Sequence, residues 1–201
     1  MNFVILATTF VLVIPAELPD KTFISVMVLS SRHRPLPVWL GASVALVLQA
    51  AIAVVAGGLL ALLPHTVVES VIAALFVAGA AYLIFVPEKR EEDEGQLLAD
   101  ELDPGAPPAP ASSRRIALTT FSIVALAEFG DITQVLIANL TARFKAPVPV
   151  FVGASLAFVL ISGIGVLGGR AIIRVIPLQT VRRISGLALL GLGIYTIVTL
   201  L

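Results

Sequence analysis

The sequence predicts an all-α membrane protein, with six transmembrane helices arranged as two inverted three-helix repeats. Three observations carry that reading. The 201-residue chain is 58% hydrophobic and only 13% charged, against roughly 25% charged in soluble domains. Six apolar stretches run along it, each with the length and composition of a bilayer-crossing helix. Finally, Glu17-Leu18-Pro19-Asp20-Lys21-Thr22 and Glu128-Phe129-Gly130-Asp131-Ile132-Thr133 repeat one acidic signature, each in the middle of an apolar stretch. A carboxylate at mid-bilayer costs at least about 2.5 to 3.5 kcal/mol on insertion scales, so two matched placements point to a binding site.

The first stretch, Phe3 to Leu29, would be about 40 Å long as one helix, more than the hydrocarbon core, and Pro15 and Pro19 predict that it breaks. Met1-Asn2-Phe3 has no basic leader, so this helix is expected to be retained rather than cleaved. Val38 to Leu63 and Val67 to Val86 follow as the second and third spans. Residues 87–115 open with Glu88-Lys89-Arg90-Glu91-Glu92-Asp93-Glu94 and continue into a Pro/Ala-rich run from Pro104 to Pro110. That composition cannot build a core and reads as a solvated linker. Ile116 to Leu140, Val148 to about Leu167, and Val181 to Leu201 supply the last three spans. The chain therefore divides into a first repeat (1–86), an acidic, Pro-rich linker (87–115) and a second repeat (116–201).

The halves match when one is slid along the other by 111 to 113 positions. Glu17 and Asp20 fall on Glu128 and Asp131, Val38 to Ser43 on Val150 to Ser155, Gly57-Gly58 on Gly168-Gly169, Pro64 on Pro177, and Tyr82 on Tyr195. With three spans per half, the second half enters the membrane from the opposite side. Such inverted repeats place substrate sites near the midplane, on interrupted helices, where both acidic signatures lie. If the N-terminus is outside, ten Lys and Arg (Arg32, Arg34, Lys89, Arg90, Arg114, Arg115, Arg170, Arg174, Arg182, Arg183) fall on the cytoplasmic side, against Arg143 and Lys145 outside. The positive-inside rule then predicts external termini and a cytoplasmic linker in an integral membrane protein, with the bacterial plasma membrane as the expected location.

On a helix, residues three apart share a face, so Glu17 with Asp20, and Glu128 with Asp131, would each aim two carboxylates at one spot. An all-oxygen set suits hard divalent cations, whereas Zn²⁺ and Cu²⁺ recruit His or Cys. The chain has no Cys, which removes disulfides and thiolate sites, and His33 and His65 fall in predicted loops as ordinary surface residues. Pro15 and Pro19 would free upstream carbonyls as further ligands, and Gly130 takes the corresponding place in the second copy as a point of flexibility or close approach. Thr22 and Thr133 are matched hydroxyls, Gln134 follows Asp131 by one helical turn, and Ser43, Ser155 and Gln49 are supporting polar groups on neighbouring spans. Lys21 is spaced for an intrahelical ion pair with Glu17, while its repeat mate is the apolar Ile132. Fully ionised, four carboxylates and one ammonium leave a charge of −3, so at least one carboxylate should hold a proton in some states. Competition between protons and metal for the same acids is a physical basis for antiport. Gly41-x-x-x-Ala45 and Gly153-x-x-x-Ala157 are small-residue pairs for close helix packing.

These residues resemble the calcium:proton antiporter 2 family, which includes Golgi manganese/calcium transporters, plastid manganese transporters and bacterial manganese exporters. Its signature, Glu-x-Gly-Asp-(Lys/Arg)-(Thr/Ser), occurs once per half, and the resemblance covers nearly the whole chain. It implies that Glu17, Asp20, Glu128 and Asp131 bind the cation, with Thr22, Thr133 and Gln134 beside them. Two positions depart from the signature: Pro19 replaces the first Gly and would stiffen the segment, and Ile132 replaces the second Lys/Arg and removes a charge.

The expected activity is secondary exchange of Mn²⁺ or Ca²⁺ for protons, exporting metal from the cytoplasm. The metal is the transported ion, and no prosthetic group is expected. Lipid, the divalent cation and protons are the expected partners. Without a basic patch nucleic acid is not among them, and a homodimer is one open arrangement. No Walker motif is present, so the energy must come from an ion gradient or a partner. Two other classes compete. One is a transporter of a small organic cation or amino acid, or a helper subunit. The other is an intramembrane aspartyl protease, which Glu17→Gln and Glu128→Gln would separate because a dyad of aspartates should survive both changes.

Overall fold

A computed structural model of the chain describes residues 2–17, 21–62, 64–85, 93, 96–97, 100, 112–175 and 178–200. Eight helices account for nearly all of them: α1 (Phe3–Glu17), α2 (Lys21–Arg32), α3 (Pro35–Leu60), α4 (His65–Phe85), α5 (Ser113–Ala127), α6 (Ile132–Phe144), α7 (Pro147–Val175) and α8 (Leu178–Leu200).

Local chemistry accounts for where several of them start and stop. α3 begins with Pro35, whose fixed φ suits a first helical turn, after an extended Arg34. Ser112 caps α5 by accepting a hydrogen bond from the Arg115 amide at 3.3 Å. α6 ends at Lys145, which takes the left-handed conformation (φ 49°) and donates its amide to the Thr141 carbonyl at 3.0 Å. Pro147 then opens α7.

By length and composition α3 and α7 can each cross a membrane, and α1+α2 and α5+α6 qualify as two further spans if each pair is one broken crossing. The axes of the first pair differ by 73° and those of the second by 72°. The long first stretch is thus two half-helices that break after Glu17; Pro15, expected to contribute to the break, lies inside α1, and Pro19 lies outside the described residues. The fourth stretch, predicted as a single span, breaks in the same way. Helices α4 and α8 occupy the predicted third and sixth stretches. Most of the predicted linker, together with Leu18, Pro19 and Asp20, lies outside the described residues.

The core is built where helices of one half meet helices of the other. A Cβ added at Gly41 of α3 would stand 2.3 Å from the Ala117 carbonyl oxygen and 2.9 Å from Thr120 Cβ on α5. One added at Gly153 of α7 would stand 2.5 Å from the Leu6 carbonyl oxygen and 3.0 Å from Thr9 Cβ on α1. Only glycine permits either approach. Ala45 and Ala157, four residues on, are fully buried beside Val38, Ala42, Val150 and Ala154. Both threonines at the seams turn their hydroxyls back to their own helices at 2.9 Å, Thr9 to Ile5 and Thr120 to Ile116, which keeps the polar groups satisfied in an apolar contact.

Candidate functional site

The two helix breaks lie at the acidic signatures. Glu17 is the last residue of α1 and Glu128 caps the C-terminal end of α5, and both carboxylates are buried, 2% and 1% exposed. A helix C-terminus carries a partial negative charge and carbonyls without helical partners, so these ends favour a cation. Asp131 sits across the second break as the N-cap of α6, accepting from the Thr133 amide at 3.4 Å. Glu128 and Asp131 therefore do not share a helical face, as their spacing alone suggests. A turn joins them, with the Asp131 amide donating to the Glu128 carbonyl at 3.2 Å.

That turn depends on Gly130, which has φ 81° and no atoms crowding the position of a Cβ. Its role is conformational, not close approach. Gly130→Ala should cost about 1 to 2 kcal/mol, the penalty of a left-handed backbone for an L-residue, and Gly130→Asn less, read from the thermal midpoints of the purified variants. The Gly130 amide donates to Gln134 Oε1 at 3.1 Å. Gln134 Nε2 donates to Gln49 Oε1 on α3, and Gln49 Nε2 donates to the Ala125 carbonyl near the end of α5 at 2.7 Å. Gln49 and Gln134 thus clamp both sides of the break and occupy one of the carbonyls left over at the helix end.

Contacts between the halves complete the site. The Thr22 hydroxyl of α2 donates to Glu128 Oε1. Its repeat mate Thr133 has its hydroxyl beside Glu17 but outside hydrogen-bond geometry. Neither Glu17 oxygen has a hydrogen-bond partner, and both lie within electrostatic reach of Asp131 and Lys21. Lys21 Nζ stands 3.5 Å from Asp131 Oδ1. The intrahelical Glu17–Lys21 geometry expected from spacing is absent because the two residues belong to different helices.

Ser43 is placed elsewhere. Its hydroxyl meets that of Ser162 at 3.0 Å and ties α3 to α7, a partnership that polar spacing within one span cannot reveal. Ser155 Oγ is buried on α7 without a hydrogen bond. His33 follows α2 and is half-buried, and the His65 side chain lies outside the described residues, as do Pro19 and Asp20. Among the described residues, no three His, Cys, Asp or Glu side chains are grouped closely enough to hold a metal. What the described arrangement offers is two buried carboxylates at helix ends and a half-buried Asp–Lys pair within electrostatic reach of Glu17.

Comparison with known proteins agrees with this chemistry. The family model described as the divalent cation/proton antiporter GDT1 matches residues 5–91 and 116–200. GDT1-like protein 3 of Oryza sativa subsp. indica is 26% identical over 200 residues, covering 91% of this chain and 70% of the rice protein. GDT1-like protein 3 of Arabidopsis thaliana is 25% identical over 207 residues, covering 94% and 69%. GDT1-like protein 4 of Oryza sativa subsp. indica is 27% identical over 198 residues, covering 91% and 69%. No solved structure matches the chain. The proteins of this family are transporters rather than enzymes, which removes the protease alternative. With the match spanning both halves and membrane-crossing helices in each, the chain is an integral membrane protein of the GDT1 family of divalent cation/proton antiporters, the calcium:proton antiporter 2 type that its paired signatures resemble.

Proposed function

We propose that this chain exchanges Mn²⁺ or Ca²⁺ for protons and moves the metal out of the cytoplasm. The observation that carries the reading is the burial of Glu17 and Glu128 at the ends of the two broken helices, with Thr22 of one half bonded to Glu128 of the other. Glu17, Asp20, Glu128 and Asp131 are the proposed ligands, an oxygen set suited to hard cations. Thr22 orients Glu128, Thr133 stands beside Glu17 without bonding it, and Gln49 and Gln134 hold the second break in shape. Lys21 neutralises Asp131 when the cargo is absent, and protons replace the metal on the remaining carboxylates. Mn²⁺ or Ca²⁺ is cargo, not a resident cofactor.

The transport cycle proposed is that of a six-span inverted repeat, each half contributing one bent pair and two further helices. Several features support it. The breaks have nearly equal angles. The seams Gly41 with Ala117 and Thr120, and Gly153 with Leu6 and Thr9, exchange equivalent residues between the halves at offsets of 111 and 112. The matched family segments begin at 5 and 116, the same separation, and leave residues 92–115 between them as a linker. The arginine excess on one face supports external termini and a cytoplasmic linker. The relatives named above are plant proteins and lend no support to a bacterial plasma membrane.

Ligand binding to the folded state raises its stability by mass action, about 2.7 kcal/mol at a hundredfold excess over Kd. Purified protein titrated with Mn²⁺ and Ca²⁺ should show a rising thermal midpoint, and Asp131→Asn should suppress the rise. Stabilisation by an amino acid and not by either metal would overturn the proposal in favour of organic cargo.

A further inference from the structure

Two kinds of groove open on the lipid-facing surface of the described residues. The larger, of about 790 Å³ beside Trp39 between α3 and α7, is walled by apolar side chains and carries no charge to select an occupant. A second, between α3 and α5, is different. At its mouth a cavity of about 490 Å³ is lined by Arg34, Ser113 and Arg114 together with Pro37 and Leu40. It continues, through the shared Leu40 and Arg114, into an apolar cleft of about 240 Å³ walled by Val44, Leu118 and Phe121. Leu40 and Val44 lie one turn apart on α3, and Leu118 and Phe121 lie one turn apart on α5, so the cleft runs along both helices away from the arginines. Its floor is the Gly41–Ala117 contact, too close to admit anything between the backbones. Leu40, Val44 and Leu118 are each about half exposed in the helices that face the hydrocarbon.

We propose that this furrow binds an anionic phospholipid, its phosphate held by Arg34 and Arg114 and one acyl chain laid along Leu40, Val44, Leu118 and Phe121. Both arginines are exposed, and neither forms an ion pair among the described residues. Guanidinium groups match phosphate oxygens in a bidentate fork, and two of them favour a headgroup without its own cation. The apolar cleft distinguishes a lipid from free phosphate, because only a lipid brings an acyl chain to the same mouth. Basic pockets between helices on the cytoplasmic side are where anionic headgroups bind.

The furrow is also one-sided. At the repeat offset of 111, Arg34 corresponds to Lys145 and Arg114 to Phe3, so the related seam between α7 and α1 has lost half its charge. In the proposed topology the doubly basic mouth faces the cytoplasmic leaflet, where anionic lipids concentrate. A lipid seated there fastens the start of α5, the half-helix that ends at Glu128, to α3.

The test is native mass spectrometry of the purified full chain with phosphatidylglycerol, with phosphatidylcholine of the same acyl chains, and with inorganic phosphate. Each arginine near an anionic headgroup is worth roughly fivefold in affinity, so phosphatidylglycerol should be preferred about 25-fold. Arg34→Gln and Arg114→Gln should each lower that preference about fivefold, and the double variant should bring it to the phosphatidylcholine level. Arg183→Gln, an exposed arginine of α8, should leave it unchanged. Val44→Trp, filling the cleft, should weaken both lipids together. Lipid-free thermal midpoints matching the parent chain would show that the arginine variants are folded. Equal binding of the two lipids by the parent chain would overturn the proposal. A preference that survives the double variant would overturn it too, as would displacement of the lipid by an equal concentration of inorganic phosphate.

Discussion

Glu128→Gln is expected to abolish metal-driven proton exchange while leaving the protein folded. The replacement keeps the size of the side chain and an oxygen to accept the Thr22 hydroxyl, so the contact between α2 and α5 persists. Because a neutral amide is cheaper to bury than a carboxylate, the thermal midpoint of the metal-free protein should not fall. What is lost is a proposed ligand and a proton carrier at once. Removing outer-shell partners of a metal typically costs roughly 10- to 100-fold in affinity, and loss of a direct ligand should reach at least the upper end, about 100-fold. Thr22→Val, which removes only the donor to Glu128, should fall within that outer-shell range. Both values can be read from metal-dependent thermal shifts and from initial transport rates. Transport by Glu128→Gln at the parent rate would remove Glu128 from the mechanism.

The largest structural effect is expected at the glycine seams. Gly41→Ala and Gly153→Ala each place a methyl group against a carbonyl oxygen of the opposite half, at 2.3 and 2.5 Å. Backbone atoms cannot rotate away as a flexible side chain can, so the helices must separate. Overpacking of this kind costs about 1 to 3 kcal/mol and sometimes more. Adjacent glycines provide an internal comparison: a Cβ at Gly57 would lie 2.3 Å from the Ala138 carbonyl oxygen, whereas Gly58 has open space. Gly57→Ala should lower the thermal midpoint, and Gly58→Ala should be neutral or slightly stabilising, since alanine is the better helix former. An unchanged midpoint in both Gly41→Ala and Gly153→Ala would contradict the close approach.

Much of this was legible from residue type and spacing. Apolar runs located the helices because the cost of burying polar backbone and side chains leaves few other ways to place such sequence in lipid. The small-residue pairs marked the tight packing, although nothing in one half says that its glycine meets the threonine of the other. The acids were legible for the same reason that they are costly. Less legible was the break between α5 and α6. Reading Glu128 and Asp131 as one helical face assumed a continuous helix, yet Gly130 followed by Asp131 is a stop beside an N-cap, the local signal of two helices. The pairing of Lys21 with Asp131, and of Gln134 with Gln49, joins residues 110 and 85 positions apart. Spacing has no information at that range: it points Lys21 only to Glu17, which does lie within its electrostatic reach, and not to Asp131. The asymmetry between Lys21 and Ile132 was visible at once, but its meaning depends on the contact: the one cation at the signatures belongs to the first half and serves the acid of the second.

Exchange itself is measured most directly in proteoliposomes containing the purified chain and a pH-sensitive dye, with Mn²⁺ or Ca²⁺ added outside. Metal entry should be accompanied by proton exit, so the interior becomes more alkaline, and an imposed pH gradient should drive metal against its own concentration gradient. Glu128→Gln should abolish both responses. Metal uptake that leaves the internal pH unchanged and ignores an imposed gradient would contradict proton-coupled exchange at the paired acidic signatures.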